Sequence, residues 1–429
     1  MALTGRAALV ALLLVLPAAL GGTTLVWVFA AALALLCLLD VLLAAPVSGL
    51  RVTRSGAQVC RLGESVEVRV SLLNSGTRRL RGVVRDAWVP SAAAVPATQP
   101  IDVPAGERRI LTTTLTPTRR GDRLPDRLTV RSVGPIGLAA RQGRHEVPWR
   151  VRVQPPFTSR KHLPERLARL RQLDGLVAAR VRGQGTEFDS LREYVDGDDV
   201  RSIDWRATAR RSEVVVRTWR PERDRQLLLV LDTGRTSAGR VGDTPRLDAS
   251  LDAALLLAAL ASRAGDRVDL LAVDRDVRAA VEGASRTEVL PRIVDVTAGL
   301  EPALVETDGG RLVAEVLRRT RKRSLVVLFT SLDSAPLEGG LLPVLSSLTR
   351  RHTLIVAAVA DPRVDDLASQ RTTTKQVYAA ASAERARSER RRMTALLRRR
   401  GVEVVDATPE HLAPAVADAY LALKAAGRL

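Results

Sequence analysis

The chain has 429 residues, with 66 Lys plus Arg against 47 Asp plus Glu, for a formal net charge of +19. That length gives room for two or three domains, each able to bury its own core, and two cysteines, Cys37 and Cys60, exclude a disulfide-stapled scaffold. The charge permits attraction to nucleic acid, anionic lipid or an acidic protein surface and does not choose among them.

Residues 1–50 have membrane composition. From Ala7 to Leu50 there is no basic residue and a single acid, Asp40. Gly21-Gly22-Thr23-Thr24 divides this run into an apolar segment of about Ala7 to Leu20 and a longer one from Leu25 to Ala45. The longer one can cross a hydrocarbon layer about 30 Å thick, so the pattern predicts a transmembrane helical hairpin turning at the Gly/Thr group. Arg6 precedes it and Arg51, Arg54 and Arg61 follow it; the positive-inside rule then places both ends and the remaining domains in the cytoplasm, as a two-helix cell-membrane protein. The competing reading takes Ala7 to Leu16 as the apolar core of a cleaved signal and the second helix as a lone anchor. Asp40 is expected at the inner interface, with its carboxylate reaching water.

Residues 51–155 change to period-two alternation: Val66 to Leu72, Leu111 to Leu115, Leu128 to Arg131 and Val147 to Val153, with turns at Asn74-Ser75-Gly76 and Pro104-Ala105-Gly106. Short antiparallel strands at this spacing predict a small β-sandwich. It holds no catalytic cluster.

Residues 156–225 form a basic connector followed by the most distinctive segment of the chain. In the connector Leu163, Leu167, Leu170 and Leu173 recur at helical spacing, which predicts a helix packed on its neighbouring domain, with adhesion to anionic lipid as the alternative. Gly183 to Arg225 then concentrates scarce aromatics among alternating charges. It carries Gly183-x-Gly185, Glu187-Phe188, Leu191-Arg192-Glu193-Tyr194, Gly197-Asp198-Asp199, Arg201-x-Ile203-Asp204-Trp205, Ala209-Arg210 and Pro221-Glu222-Arg223-Asp224-Arg225, with Trp219 nearby. Planar guanidiniums that pair with carboxylates and stack on rings explain such a segment either as a brace or as a docking surface.

These motifs resemble the signature of the domain-of-unknown-function 58 family, prokaryotic proteins that join it to a von Willebrand factor A-like (vWA-like) domain. Arg119-Arg120-Gly121 and Gly134-Pro135-Ile136-Gly137-Leu138 resemble the family's β-domain ending, and Leu227 to Asp232 with Thr233-Gly234-Arg235-Thr236 resembles the first strand and loop of a vWA-like fold. The resemblance implies association with a MoxR-type AAA+ ATPase.

Residues 226–429 alternate strands and helices. Leu227 to Leu231, Val268 to Val273, Leu325 to Phe329, Leu354 to Val359 and Val402 to Val405 read as buried strands. Helices are expected over Leu247 to Ser262, Glu288 to Val296, Leu312 to Thr320, Leu341 to Leu348, Ala379 to Arg398 and Leu412 to Leu423. The alternation predicts a doubly wound, Rossmann-like parallel sheet, with ligands gathering at the carboxyl ends of its strands. By resemblance that end would hold a divalent ion in an Asp-x-Ser-x-Ser loop with a distant Thr and Asp. Asp232, Thr236 and Thr330 match, but Gly234 replaces a hydroxyl, Ser331 stands where an acid is expected, and the middle Thr has no evident counterpart. This predicts a degenerate site whose natural ion would be Mg²⁺, and no other cofactor.

Other chemistry finds no motif. There is no Gly-x-x-x-x-Gly-Lys-Ser/Thr loop and no Gly-x-Ser-x-Gly elbow, and His145, His162, His352 and His411 lack ligand spacing. The expectation is an α/β plus all-β protein: hairpin (1–50), β-sandwich (51–155), connector and signature (156–225), vWA-like domain (226–429). Its expected role is that of a membrane-anchored, non-enzymatic scaffold that acts on no small-molecule substrate. Glu187, Phe188, Arg192, Tyr194, Asp198, Asp199, Arg201, Asp204, Trp205, Arg210, Glu222 and Arg223 would form its interaction surface. Two alternatives stand beside it. One is an electrostatic nucleic-acid binder using the arginine-rich stretch Arg385 to Arg400, against which no base-reading motif is visible. The other is a metal-dependent hydrolase using Asp198, Asp199 and Asp204.

Overall fold

The computed structural model describes residues 2–13, 15–180, 187–211, 213–220 and 225–429, with the side chains of these except at 15–23, 174–180, 187–189, 211 and 218–220. Two units divide it, Met1–Pro156 and Phe157–Leu429.

In the first unit, helices α1 (Gly5–Leu13) and α2 (Val15–Leu43) carry the apolar run. One segment among the described residues, Thr24–Gly49, is long and apolar enough to cross a membrane. Gly21 to Thr24, expected as an open turn, are helical within α2. In lipid a backbone must satisfy its own hydrogen bonds, which favours helix even through glycines.

Strands β1 (Leu50–Gly56), β2 (Val66–Asn74), β3 (Leu80–Trp88), β4 (Thr98–Val103), β5 (Arg108–Leu115), β6 (Pro125–Val133) and β7 (Ala139–His145) build the two main sheets. One runs β1-β2-β5 with the short strand Ala94–Val95 at its edge. The other runs β7-β6-β3-β4 and takes Ala2–Leu3 beside β7. A smaller three-stranded sheet joins Val59–Arg61, Val151–Gln154 and Gly121–Arg123. Alternation turns Val70, Leu72 and Leu111 of the first sheet toward Leu80, Val84, Ile101, Leu128 and Val130 of the second, closing one apolar core between them.

Asp40 is fully buried rather than water-facing. Its carboxylate accepts backbone N–H bonds from Ile136 (2.8 Å), Leu138 (2.7 Å) and Ala139 (2.8 Å). The Gly134-Pro135-Ile136-Gly137 loop makes this geometry available. A Cβ on Gly134 would lie 2.1 Å from the Asp40 Oδ1, and Gly137 sits at φ +82. Thr4 joins the same loop, its hydroxyl donating to the Gly137 carbonyl at 2.7 Å.

The second unit opens on α3 (Leu163–Arg180). Leu163 and Leu170 are buried in the core of this unit, with Leu167 and Leu173 packed against it, so the connector's leucine face meets protein. Arg166 fixes the helix by pairing with Asp418 at 3.0 Å. The signature follows as an antiparallel hairpin, β8 (Glu187–Glu193) with β9 (Val215–Arg220), enclosing the short helix α4 (Trp205–Arg211).

A six-stranded sheet then dominates. It comprises β10 (Gln226–Asp232), β11 (Arg267–Val273), β12 (Val277–Val281), β13 (Leu325–Phe329), β14 (Thr353–Val359) and β15 (Glu403–Ala407), in the order β12-β11-β10-β13-β14-β15. All neighbours are parallel except the β11-β12 edge pair. Helices α5 (Arg246–Arg263), α6 (Val289–Ala298), α7 (Gly309–Arg319), α8 (Thr374–Arg399) and α9 (Pro409–Ala425) complete the wrapping. Leu227, Leu229 and Leu231 pack with α5, α6 and α9, while Leu228 and Val230 pack with α7 and α8. Burial of both faces explains why these strands are continuous apolar runs.

Candidate functional site

The signature hairpin is held by its aspartates. The Asp199 carboxylate accepts from the Arg201 amide at 3.0 Å, capping the turn Val200–Ser202. Asp204 accepts from the Arg206 and Ala207 amides, each at 3.0 Å, at the start of α4, and pairs with Arg217 of β9 at 2.8 Å. Asp198 accepts from the Val195 amide at 3.0 Å and pairs with Arg192. The Arg192 guanidinium beside Asp198 holds that carboxyl below the ordinary range, and the Ala207 amide, then Arg217, does the same for Asp204. Strong ionisation with all these bonds already made suits a brace. A general acid or base needs a pKa near the working pH.

What this frame displays is apolar and of mixed charge, with Glu193, Asp196, Asp199 and Glu213 exposed. Trp205 is 67% exposed at the first turn of α4, with Val195 and Val200 at 61%. Arg201, Arg206 and Arg210 are exposed alongside, and Tyr194 is half-buried. Of the remaining residues expected on this surface, Glu187 and Phe188 lie in β8, where Phe188 stands opposite Trp219 in register, with side chains outside the described set. Gly183, Gly185, Glu222 and Arg223 lie outside the described residues.

A second constellation sits at the carboxyl end of β10. Asp232 is buried, and its Oδ1 accepts from the Gly234 amide at 2.8 Å and from the Thr307 hydroxyl. Its Oδ2 accepts from Thr236 at 3.2 Å and Thr330 at 2.6 Å. The structure thus gathers Asp232, Thr236 and Thr330, and adds Thr307, which the sequence did not reveal. Thr307 lies in a loop without hydropathic period just before α7, so no local signal marked it. These residues line a cavity of about 350 Å³. Its neighbouring acids are spoken for: Glu306 pairs with Arg235, and Asp333 pairs with Arg246 at 3.3 Å.

This donor set would offer a divalent ion one carboxylate and three hydroxyls. Hard hydroxyl and carboxylate oxygens suit Mg²⁺, but one carboxylate supplies one charge, and both of its oxygens are already engaged by four internal donors. Gly234 also closes the position of the absent serine, since a Cβ there would lie 2.1 Å from the Thr307 hydroxyl. Among the described residues there is no cluster of three His, Cys, Asp or Glu able to hold a metal.

Part of the arginine-rich helix α8 is engaged in ion pairs. Arg385 pairs with Glu389 at 3.0 Å, Arg387 with Glu384 at 2.8 Å and Arg390 with Asp406 at 2.6 Å, while Arg392 meets Glu338.

Comparison with known proteins matches residues 190–405 to the family described as "Protein of unknown function DUF58". Uncharacterized proteins of Mycobacterium bovis and Mycobacterium tuberculosis are 26% identical over 197 residues, covering 45% of this chain and 62% of the relatives. The match thus spans less than two thirds of the relatives' length. Among solved structures, a CARDB domain of a Pyrococcus furiosus protein in complex with di-metal ions aligns at TM-score 0.17 and 19% identity, over 24% of this chain and 86% of that one. A GH20 exo β-N-acetylglucosaminidase from Vibrio harveyi aligns at TM-score 0.18 and 9% identity, over 68% of this chain and 59% of that one. Likenesses this low carry no argument.

Proposed function

The chain belongs to the DUF58 family, and from that premise we propose that it is a membrane-anchored, non-enzymatic docking protein whose signature hairpin engages a MoxR-type AAA+ ATPase. The observation that carries this reading is Trp205, two-thirds exposed beside exposed arginines on a hairpin whose aspartates are occupied in holding it rigid. Exposed Trp and Arg on a preorganised frame are the residues that anchor interfaces. A partner ATPase supplies the nucleotide chemistry for which this chain has no motif. The test is capture of the ATPase by the full chain in detergent. Trp205→Ala, which leaves the Asp204 cap and the Asp204–Arg217 pair in place, is expected to weaken capture by about thirtyfold or more, the loss of a hot-spot residue of about 2 kcal/mol or more. Normal capture by the folded variant removes the docking role, and hydrolysis lost in Asp198→Asn supports an enzyme instead.

The α/β domain is read as vWA-like. Support comes from the sheet order and from Asp232 at the end of a central strand with Thr236, Thr307 and Thr330 converging on it. The N-terminal region is read as a two-pass hairpin with the remaining domains in the cytoplasm. Support comes from Thr4 and Asp40 meeting on one loop, Gly134 to Ala139.

A further inference from the structure

A cavity of about 510 Å³ lies in the first unit, where α2 meets β7. Val41, Leu42, Pro46 and Val47 form its apolar side, and Ser48, Arg141, Gln142 and His145 its polar side. Its lining holds no acid. Of the two carboxylates that adjoin the lining in sequence, Asp40 is turned into the amides of Ile136, Leu138 and Ala139, and Glu146 is exposed and outside the lining. The Arg141 Nε donates to the Val41 carbonyl at 2.7 Å, and Arg78 donates to the Leu42 carbonyl at 2.8 Å, so guanidiniums collar the carboxyl end of the membrane-compatible helix. The buried Nε2 of His145 has no protein partner. Burial holds this imidazole below its usual pKa, making it a hydrogen-bonding group rather than a charge. Gly143 allows the close packing of the Val47 turn, since a Cβ there would lie 2.5 Å from that valine.

The apolar side of the cavity continues outward. Leu42 is 52% exposed, and helical spacing places Leu35, Leu38 and Leu39 on its face, all exposed. A cavity whose side chains are donors, opening onto an exposed leucine track along a membrane-compatible helix, has the two-part chemistry of an anionic phospholipid. The phosphate would meet Arg141 and Ser48, and an acyl chain would lie along Leu42, Leu38 and Leu35. We infer that this cavity is a binding site for the headgroup phosphate of an anionic membrane phospholipid.

The inference rests on α2 being the membrane anchor, and the experiment separates the two. The full chain, delipidated in detergent, is titrated with phosphatidylglycerol and with phosphatidylcholine, and bound lipid is read by native mass spectrometry. The expected result is saturable retention of phosphatidylglycerol in preference to phosphatidylcholine. Ser48→Glu, an exposed position that puts a carboxylate at the mouth without touching any cap, should weaken retention, and Arg141→Gln should do so by about fivefold, the contribution of one cation near an anionic surface. Equal retention of both lipids, or unchanged retention in a folded Ser48→Glu chain, overturns the inference. Displacement of the lipid by inorganic phosphate at equal concentration overturns its lipid half and leaves a free-phosphate site. Alkaline carbonate extraction of native membranes reports on the anchor: release of the chain removes the anchor reading and this site with it, whereas retention without lipid preference removes only the site.

Discussion

At the scale of single residues, several aspartates of this protein work as acceptors for backbone amides. Asp40 is the clearest case, a lone carboxylate in an apolar run that composition could only assign to an interface. Its role was hidden because its three donors lie about a hundred residues away in sequence, and their direction depends on Gly134 and Gly137. Asp40→Ala would orphan three amides, each costing about 1–3 kcal/mol when buried; a thermal melt of the full chain in detergent should show a loss of at least about 3 kcal/mol, with Asp40→Asn intermediate because its carbonyl still accepts. Asp204 carries a pH dependence. Its folded pKa is depressed, first by the Ala207 amide and then by Arg217, so its contribution is fully present above the unfolded carboxylate value of about 3.9 and is lost as the pH falls through the lower folded value. Hydrogen exchange at α4 should therefore show protection above that of Asp204→Asn at neutral pH, the two converging only in acid well below the unfolded value.

At the scale of elements, legibility followed burial. Strands covered on both faces were readable as apolar runs, and Leu227 to Leu231 or Leu325 to Phe329 reappear as β10 and β13 within a residue at either end. The edge strand β12 was missed because Val-Arg-Ala-Ala-Val alternates in exposure and breaks the strand-helix rhythm. Leu341 to Leu348, read as one helix, is instead a π turn, Leu337–Leu341, and a short helix, Leu345–Thr349, since Gly339 and Gly340 spoil its start. The Asp232 cluster was half legible: residues near the strand ends were found by spacing, whereas Thr307 is brought in only by the tertiary fold. Its hydrogen bonds make a prediction. Millimolar Mg²⁺ should leave the melting temperature nearly unchanged, because stabilisation requires binding to the native state. Gly234→Ser, which restores the missing hydroxyl, should lower stability, as its Cβ would collide with the Thr307 hydroxyl and approach the Val305 carbonyl at 2.9 Å. A saturable Mg²⁺-dependent rise that Asp232→Ala abolishes would show that the cluster opens to admit an ion.

At the scale of the whole molecule, a net charge of +19 invites a nucleic-acid reading. Arg385, Arg387, Arg390 and Arg392 of α8 are matched locally by acids, but the net count already subtracts those acids, so the surplus is carried by other arginines spread over the chain. Other arginines are spent on carbonyls at element ends, including Arg78 on Leu42, Arg141 on Val41 and Arg400 on Leu342. A reporter fused after Leu429 should be active only in the cytoplasm, which places the basic surface where nucleic acid is present and makes the question a real one. The expectation is that the full chain in detergent retains DNA weakly, without sequence preference, and releases it at moderate salt. Dispersed phosphate contacts act through counterion release, so binding falls steeply with the logarithm of salt concentration and does not distinguish base sequences. Measured retention across a salt series gives the slope, and the slope counts the phosphates neutralised. A tight complex that survives physiological salt and discriminates between sequences would require a base-reading element; it would make nucleic acid, in place of an ATPase, the partner to which the exposed Trp205 and its arginines are fitted.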